Sequence, residues 1–272
     1  RFEDVKKNLN KRNCIALCAL EPNREGWRFT DNFGEFIEKY GVHYMTDMYA
    51  AGFYPYPSEE AKWGYWSKHA LMNRFDPPAL PLYTKLYDIV KSKEYFVLTT
   101  NVDHQFYKAG FDEKRIFATQ GDYGKIQCQK ACHSKTYDAK ELFRKMDEAR
   151  KDCLIPSELV PKCPVCGGNM AMNLRCDNYF VEDEAWHEAA DRYACFLEQN
   201  KDKKVVLLEL GVGFNTPIII RFPFEKMVRE NPSYSLIRLN MDEAVVPESF
   251  GERAIGIGGD MAKAIADIRG LV

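Results

Sequence analysis

Short, wholly apolar runs alternate with longer amphipathic ones along this chain. Asn13–Leu20 is apolar enough for a buried first strand. Asp31 is placed to cap a helix running to Tyr40, with Phe33, Phe36 and Ile37 on one face. Tyr44–Asp76 is rich in aromatics and methionine and holds Trp63, Tyr65, Trp66 and Phe75; its pattern predicts a helix near Glu59–Arg74. That stretch reads as core packing, as a helical lid or as a substrate groove. Pro81 opens a helix to Ser92. Tyr95–Thr100 and Arg115–Thr119 are β-rich apolar runs of the kind a parallel sheet buries on both faces. A polar, cysteine-containing stretch from Gln127 to about Arg175 interrupts the pattern. It resumes with a helix over Asp183–Gln199, a strand over Lys204–Leu210, strands at Ser235–Leu239 and Arg253–Ile257, and a closing helix over Asp260–Leu271. Strands alternating with helices at this spacing predict an α/β fold: a Rossmann-like parallel sheet with helices on both faces plus a small inserted zinc-binding module. The expected division is 1–126 with 177–272 as the sheet domain, 127–176 as the insert, and 44–76 as a helical or lid segment.

At 272 residues the chain suits one large domain with an appended module, or two small ones. Nothing in it is long and apolar enough to span a bilayer, and no signal peptide is visible. The net charge of −2, with both signs interspersed, offers no stripe for nucleic acid. Nine cysteines are far too few for a disulfide scaffold of this length, so a cytoplasmic, reducing setting with some thiols on a metal is the economical reading.

Two cysteine pairs carry that metal. Cys128-x3-Cys132 and Cys163-Pro-Val-Cys166 can each turn two thiolates to one point, and Gly167-Gly168 lets the backbone fold tightly behind the second pair. Four thiolates suit a closed, structural zinc site. His133 is a spare ligand beside Cys132. Cys14 and Cys18 sit in the first strand and read as core.

Three turns follow strands. Gly211-Val-Gly213-Phe214 leads to Thr216-Pro217, where Thr216 would cap a helix, Pro217 would take its first position, and the free N–H groups would face a phosphate. A plain strand–turn–helix connection explains the same residues. After Thr100 come Asn101 and Asp103, an amide and a carboxylate two residues apart that can hold a ligand amide or simply cap a helix. Gln120-Gly121-Asp122 follows Thr119 as a site or a turn. His104 and His187 read as surface residues.

Taken in order, these pieces resemble the sirtuin family. Thr99–Gly110 (TTNVDHQFYKAG) is similar to the sirtuin nicotinamide-site motif, Gln120-Gly121 falls where most sirtuins have a catalytic His-Gly, and the cysteine pairs match the sirtuin zinc module. Thr119–Gly124, Glu209–Gly213 and Arg28-Phe29-x3-Phe33 resemble the class M sirtuins, the microbial group encoded beside macrodomain proteins. The likeness runs from about Arg28 to the C-terminus. It implies NAD and zinc as cofactors, with Asn101, Asp103 and Gln120 catalytic. The cofactor contacts implied are Arg28, Phe29, Asn101, Asp103, Gln120, Gly211, Val212, Gly213, Phe214, Asn240 at the adenosine ribose and Asp260 near adenine. The implied reaction moves ADP-ribose to a protein acceptor, a lipoylated glycine-cleavage H-like carrier, with a macrodomain ADP-ribosyl hydrolase as the reversing partner.

Glutamine has no titratable nitrogen, so Gln120 cannot serve as the general base that deacylation takes from histidine. This favours transferase over the alternative, an NAD-dependent lysine deacylase. Asp103 and Asp122 are candidates for the acceptor's base. Sirtuins have a Gly-Ala-Gly-x-Ser loop after the first strand, whereas here Leu17–Asn23 (LCALEPN) follows directly. A chain without that loop lacks the cover over the pyrophosphate, which leaves a non-catalytic NAD or ADP-ribose binding module as a third reading.

Overall fold

The short apolar runs become strands because the chain covers both of their faces. A computed structural model describes residues 13–18, 29–41, 45, 47–214 and 217–271, with backbone alone for 13–18, 29 and 269–271. The described strands, in chain order, are β1 (Asn13–Cys18), β2 (Val97–Thr99), β3 (Ile116–Ala118), β4 (Gly121–Cys128), β5 (Thr136–Asp138), β6 (Met170–Leu174), β7 (Val205–Leu210), β8 (Tyr234–Asn240) and β9 (Ala254–Gly258). The chain forms two compact units. One comprises Arg1–Glu21, Pro78–Gly121 and Glu184–Val272; the other comprises Pro22–Pro77 and Asp122–Asp183. The helical 44–76 stretch thus groups with the cysteine-bearing insert.

The first unit is built on a six-stranded sheet in the order β3-β2-β1-β7-β8-β9, with every neighbouring pair parallel. Alternation along β7 sends Val206, Leu208 and Leu210 into one core, with the helices Pro81–Val90 and Met261–Leu271. Val205 and Leu207 enter the other core, under Glu184–Asn200 and Arg221–Glu230. The chain order reverses between β1 and β7, which is the switch point where doubly wound sheets place ligands beyond their carboxyl ends.

The second unit holds a smaller sheet, β5-β4-β6, and helices at Phe29–Tyr40, Met48–Gly52, Glu59–Ala70 and Lys140–Ala149. Asp47 and Ser58 cap the second and third of these through their side chains. Trp63, Tyr65 and Trp66 are buried, so this face of the aromatic stretch is core, while Tyr49 and Phe53 remain exposed. Gly64 lets the third helix press against the 152–154 turn, because a Cβ there would lie 2.2 Å from the Cys153 carbonyl oxygen.

Three expected boundaries move. The first described helix begins at Phe29, so Asp31 lies inside its first turn rather than capping it. The third helix ends at Ala70 and widens into a π turn over Leu71–Phe75, closed by Asp76 N–H to the Leu71 carbonyl at 2.8 Å. The helix after the glycine turn starts at Arg221 rather than Pro217. Residues 217–220 form a wide turn, with Phe222 N–H on the Pro217 carbonyl at 2.9 Å. Pro223 sits in the first turn of that helix, where a missing N–H costs nothing.

Candidate functional site

Parallel strands deliver their following residues to one edge, and all the described candidates of the first unit lie there. Thr99 of β2 pairs with Ala118 of β3, so Asn101 and Gln120, each two residues further on, leave the sheet side by side. Thr119 N–H bonds the Thr99 carbonyl at 2.9 Å, and Asn101 N–H bonds Thr99 Oγ1 at 3.0 Å. The Asn101 amide donates to Tyr83 Oη at 2.9 Å, which fixes its plane. Asp103 is buried and accepts Gln105 N–H at 3.1 Å, a turn that leads into the short Gln105–Lys108 helix. Gln120 is half-buried and donates to Thr119 Oγ1 at 3.3 Å. Trp186 Nε1 steadies the same corner from the Thr119 carbonyl at 3.4 Å. His104 adopts a left-handed backbone and stacks on Tyr107.

On the other side of the switch point, Gly211 turns at φ +66° and donates its N–H to the Leu239 carbonyl at 2.8 Å. Asn240 is committed twice: its amide nitrogen donates to the Val212 carbonyl at 3.1 Å, and its oxygen accepts from Asp242 N–H at 3.1 Å and Glu243 N–H at 3.0 Å. Asn240 pairs with Gly258 of β9, and Asp260, two residues beyond, caps the last helix through Lys263 N–H at 2.7 Å. Gly213 runs beside Glu243, and Phe214 is exposed. Arg28 and Thr216 lie outside the described residues, as do Leu20–Asn23 where sirtuins have their glycine loop; Phe29 is described by its backbone alone. The helix begins at Arg221, so Pro217 does not take its first position, and the cap expected of Thr216 falls outside the described residues.

Beneath these turns lies a charge cluster that the strand pattern did not suggest. Glu209 of β7 and Arg238 of β8 are register partners. Arg238 grips Glu209 at 2.6 and 3.0 Å and reaches Glu225 at 2.9 Å. Arg221 is buried too, with its guanidinium 4.0 Å from Glu209. Burial pushes the Glu209 carboxyl up from its ordinary range, and Arg238 pulls against it. Burial and the like charge of Arg238 draw Arg221 down. A charged residue in each of two otherwise apolar strands was the available signal.

In the second unit, Cys128, Cys132, Cys163 and Cys166 bring four sulfurs within 4.8 Å of one another. Cys128 and Cys166 are 3.7 Å apart, and Cys132 and Cys163 are 3.6 Å apart. A tetrahedron of zinc–sulfur bonds of about 2.3 Å has edges of about 3.8 Å, so the four thiols fit zinc. Gly167 turns at φ +70°, and its N–H meets the Cys163 carbonyl at 2.8 Å, closing the knuckle behind the second pair. Backbone N–H groups of Cys132 and Lys130 help hold the Cys128 thiol down at about 6. Burial pushes Cys163 up, but the N–H groups of Cys166 and Val165 outweigh it and leave the thiol below its usual value. Burial and the neighbouring thiols push Cys132 up. His133 contacts Cys132 Sγ at 3.1 Å and Tyr137 Oη at 2.8 Å, outside the four-sulfur set. Asp122 is held by Arg74 at 2.8 and 3.3 Å and by Gly124 N–H at 2.6 Å, an arrangement that fixes the start of β4.

No family model matches the chain. A protein ADP-ribosyltransferase from Staphylococcus aureus is 39% identical over 241 residues, covering 88% of this chain and 76% of that protein. A probable bifunctional ADP-ribose hydrolase/ADP-ribosyltransferase from Fusarium oxysporum f. sp. cubense is 30% identical over 235 residues, covering 81% of this chain and 39% of that protein. Among solved structures, a Sir2 homologue in complex with NAD aligns with a TM-score of 0.60 at 15% identity, covering 99% of this chain and 93% of that one. At that identity the likeness speaks for the fold, a Rossmann-like parallel sheet joined to a four-cysteine module. The chain belongs to the family of protein ADP-ribosyltransferases, and it has the fold of the Sir2 enzymes.

Proposed function

We propose that this protein transfers ADP-ribose from NAD to a protein acceptor and releases nicotinamide. The observation that carries this reading is the alignment of Asn101, Asp103 and Gln120 with the 211–214 turn, Asn240 and Asp260 along one carboxyl edge of one sheet. That set of groups fits a dinucleotide: an amide and a carboxylate at one end, a glycine-bearing turn and an asparagine at the other. Neighbouring strands lie about 4.8 Å apart, so β2 and β8, three steps apart, put the two groups roughly 15 Å from each other.

Bound NAD supplies the ADP-ribosyl group, whose ribose carbon becomes electrophilic as nicotinamide leaves. Asn101, oriented by Tyr83, and Asp103 hold the nicotinamide amide. Gln120 hydrogen-bonds a ribose hydroxyl without taking its proton, and this leaves an incoming protein nucleophile as the acceptor. Gly211, Val212, Gly213 and Phe214 line the phosphates, Asn240 the adenosine ribose and Asp260 the adenine end. Zinc plays a structural part, since four thiolates leave no open coordination position.

The acceptor proposed is a lipoylated glycine-cleavage H-like carrier. The name of the Fusarium relative joins a hydrolase to a transferase, which supports a macrodomain ADP-ribosyl hydrolase as the partner that removes the mark. Intact-mass spectrometry of a lipoylated carrier after incubation with this protein and NAD tests the reading, with an acetyl-lysine peptide as control. Added ADP-ribose on the carrier and an intact peptide is the expected result. Deacetylation of the peptide with an unchanged carrier makes the protein a deacylase instead.

A further inference from the structure

Two loops leave the sheet at neighbouring strand ends, residues 211–214 after β7 and 241–246 after β8. Their carbonyl groups are gathered by two buried guanidiniums. Arg221 donates to Val212 at 3.1 Å, to Glu243 at 3.1 Å and to Val245 at 3.4 Å. Arg238 donates to Val245 at 2.5 Å. The Arg221 guanidinium also lies 4.1 Å from the centre of the Phe214 ring, so the tip of the glycine turn rests on the same group. Glu209 and Glu225 balance the two positive charges.

An apolar pair at 209 and 238 would hold the strands together at least as well, because removing ions from water is costly. It would leave the loop carbonyls unmet. Arginine is the side chain that can grip a carboxylate and several carbonyls at once, through five donors in a fixed fork. The geometry points to Arg221 and Arg238, neutralised by Glu209, as positioning residues that set the 211–214 turn against the 241–246 loop at the spacing the adenosine diphosphate half of NAD requires. This rests on the assignment of NAD to that edge. None of the three touches the bond to nicotinamide, so their effect falls on cofactor binding rather than on the chemical step.

Arg221→Lys tests this in the full-length protein. It keeps the charge near Glu209 and removes the fork that holds Val212, Glu243 and Val245. Arg238→Lys is a second copy of the test, leaving Val245 only its longer bond from Arg221 while keeping a charge opposite Glu209. NAD binding is measured by calorimetry, nicotinamide release by steady-state kinetics, and folding by thermal melting, with Gly213→Val as a reference that obstructs the turn itself. A rise of about tenfold in Kd and KM for NAD, about 1.4 kcal/mol, with kcat within about twofold and a lowered melting point that still leaves the protein folded at the assay temperature, is the expected result for both lysine variants. If Gly213→Val abolishes binding while both lysine variants bind like the wild type, the positioning role is overturned and the NAD site stands. A fall in activity that only tracks loss of folded protein also overturns it. If Gly213→Val itself binds NAD normally, the NAD assignment at this turn is wrong, and this inference goes with it.

Discussion

Two residues past β3 lies Gln120, which the proposed function makes the residue that decides between transfer and deacylation. Its amide can donate and accept but cannot take a proton near neutral pH. Gln120→His is therefore expected to raise deacetylation of an acetyl-lysine peptide; an unchanged rate would show that other groups limit that reaction. Asn101 is proposed to act at the leaving group. Asn101→Ala is expected to cut nicotinamide release by about 100-fold or more, since misplacement of about 1 Å can cost that much. Its melting temperature should fall by only about 2–4 °C, the price of one hydrogen bond to Tyr83. Retained turnover would move the nicotinamide site elsewhere. The placement of Asn101, Asp103 and Gln120 at the sheet edge was legible in the sequence because each follows a short apolar strand, where a parallel sheet must present it. Glu209 and Arg238 were not legible as a unit. Each was visible as a charge in an apolar run, but only the β7–β8 register makes them partners.

At the scale of elements, helix starts were the least legible feature. Thr216-Pro217 has the composition of a helix opening, yet a wide turn intervenes and the helix starts four residues later, with Arg221 reaching back to the carbonyls of both loops. Tertiary hydrogen bonding outweighed the local signal there. Close approach was equally hidden: nothing in Trp63-Gly64-Tyr65 announces that the chain at Cys153 passes against it. Gly64→Ala forces a Cβ into the 2.2 Å gap to the Cys153 carbonyl oxygen. It is expected to destabilise the protein by about 1–3 kcal/mol, read by denaturant melting; an unaltered midpoint would show that the turn yields freely. The zinc knuckle lies at the other extreme. Its four clustered cysteines and its glycine turn were apparent from spacing, because the geometry is local to two short segments.

Across the whole molecule, metal analysis is expected to give about one zinc per chain, lost in Cys163→Ser. Stripping the metal with a chelator should speed amide exchange around 128–133 and 162–169, while β7 and β8 stay protected; a protein whose exchange is indifferent to the chelator has no structural zinc. The class of fold was readable from alternating strands and helices. The grouping of 22–77 with 122–183 was not, because it joins stretches separated in sequence by part of the other unit. The same separation governs how the molecule comes into being. β1 lies between β2 and β7, and Asn13 pairs with Val205, about 190 positions later. Closing so long a loop is slow, and no local contact can stand in for it. On the ribosome, β1 must wait for β7 before the two halves of the sheet can meet, whereas the cysteine-bearing unit has all its segments by Asp183. The edge that would grip NAD is thus the last part of the protein to be assembled, and a chain halted before β7 cannot form that edge, however well its zinc module has folded.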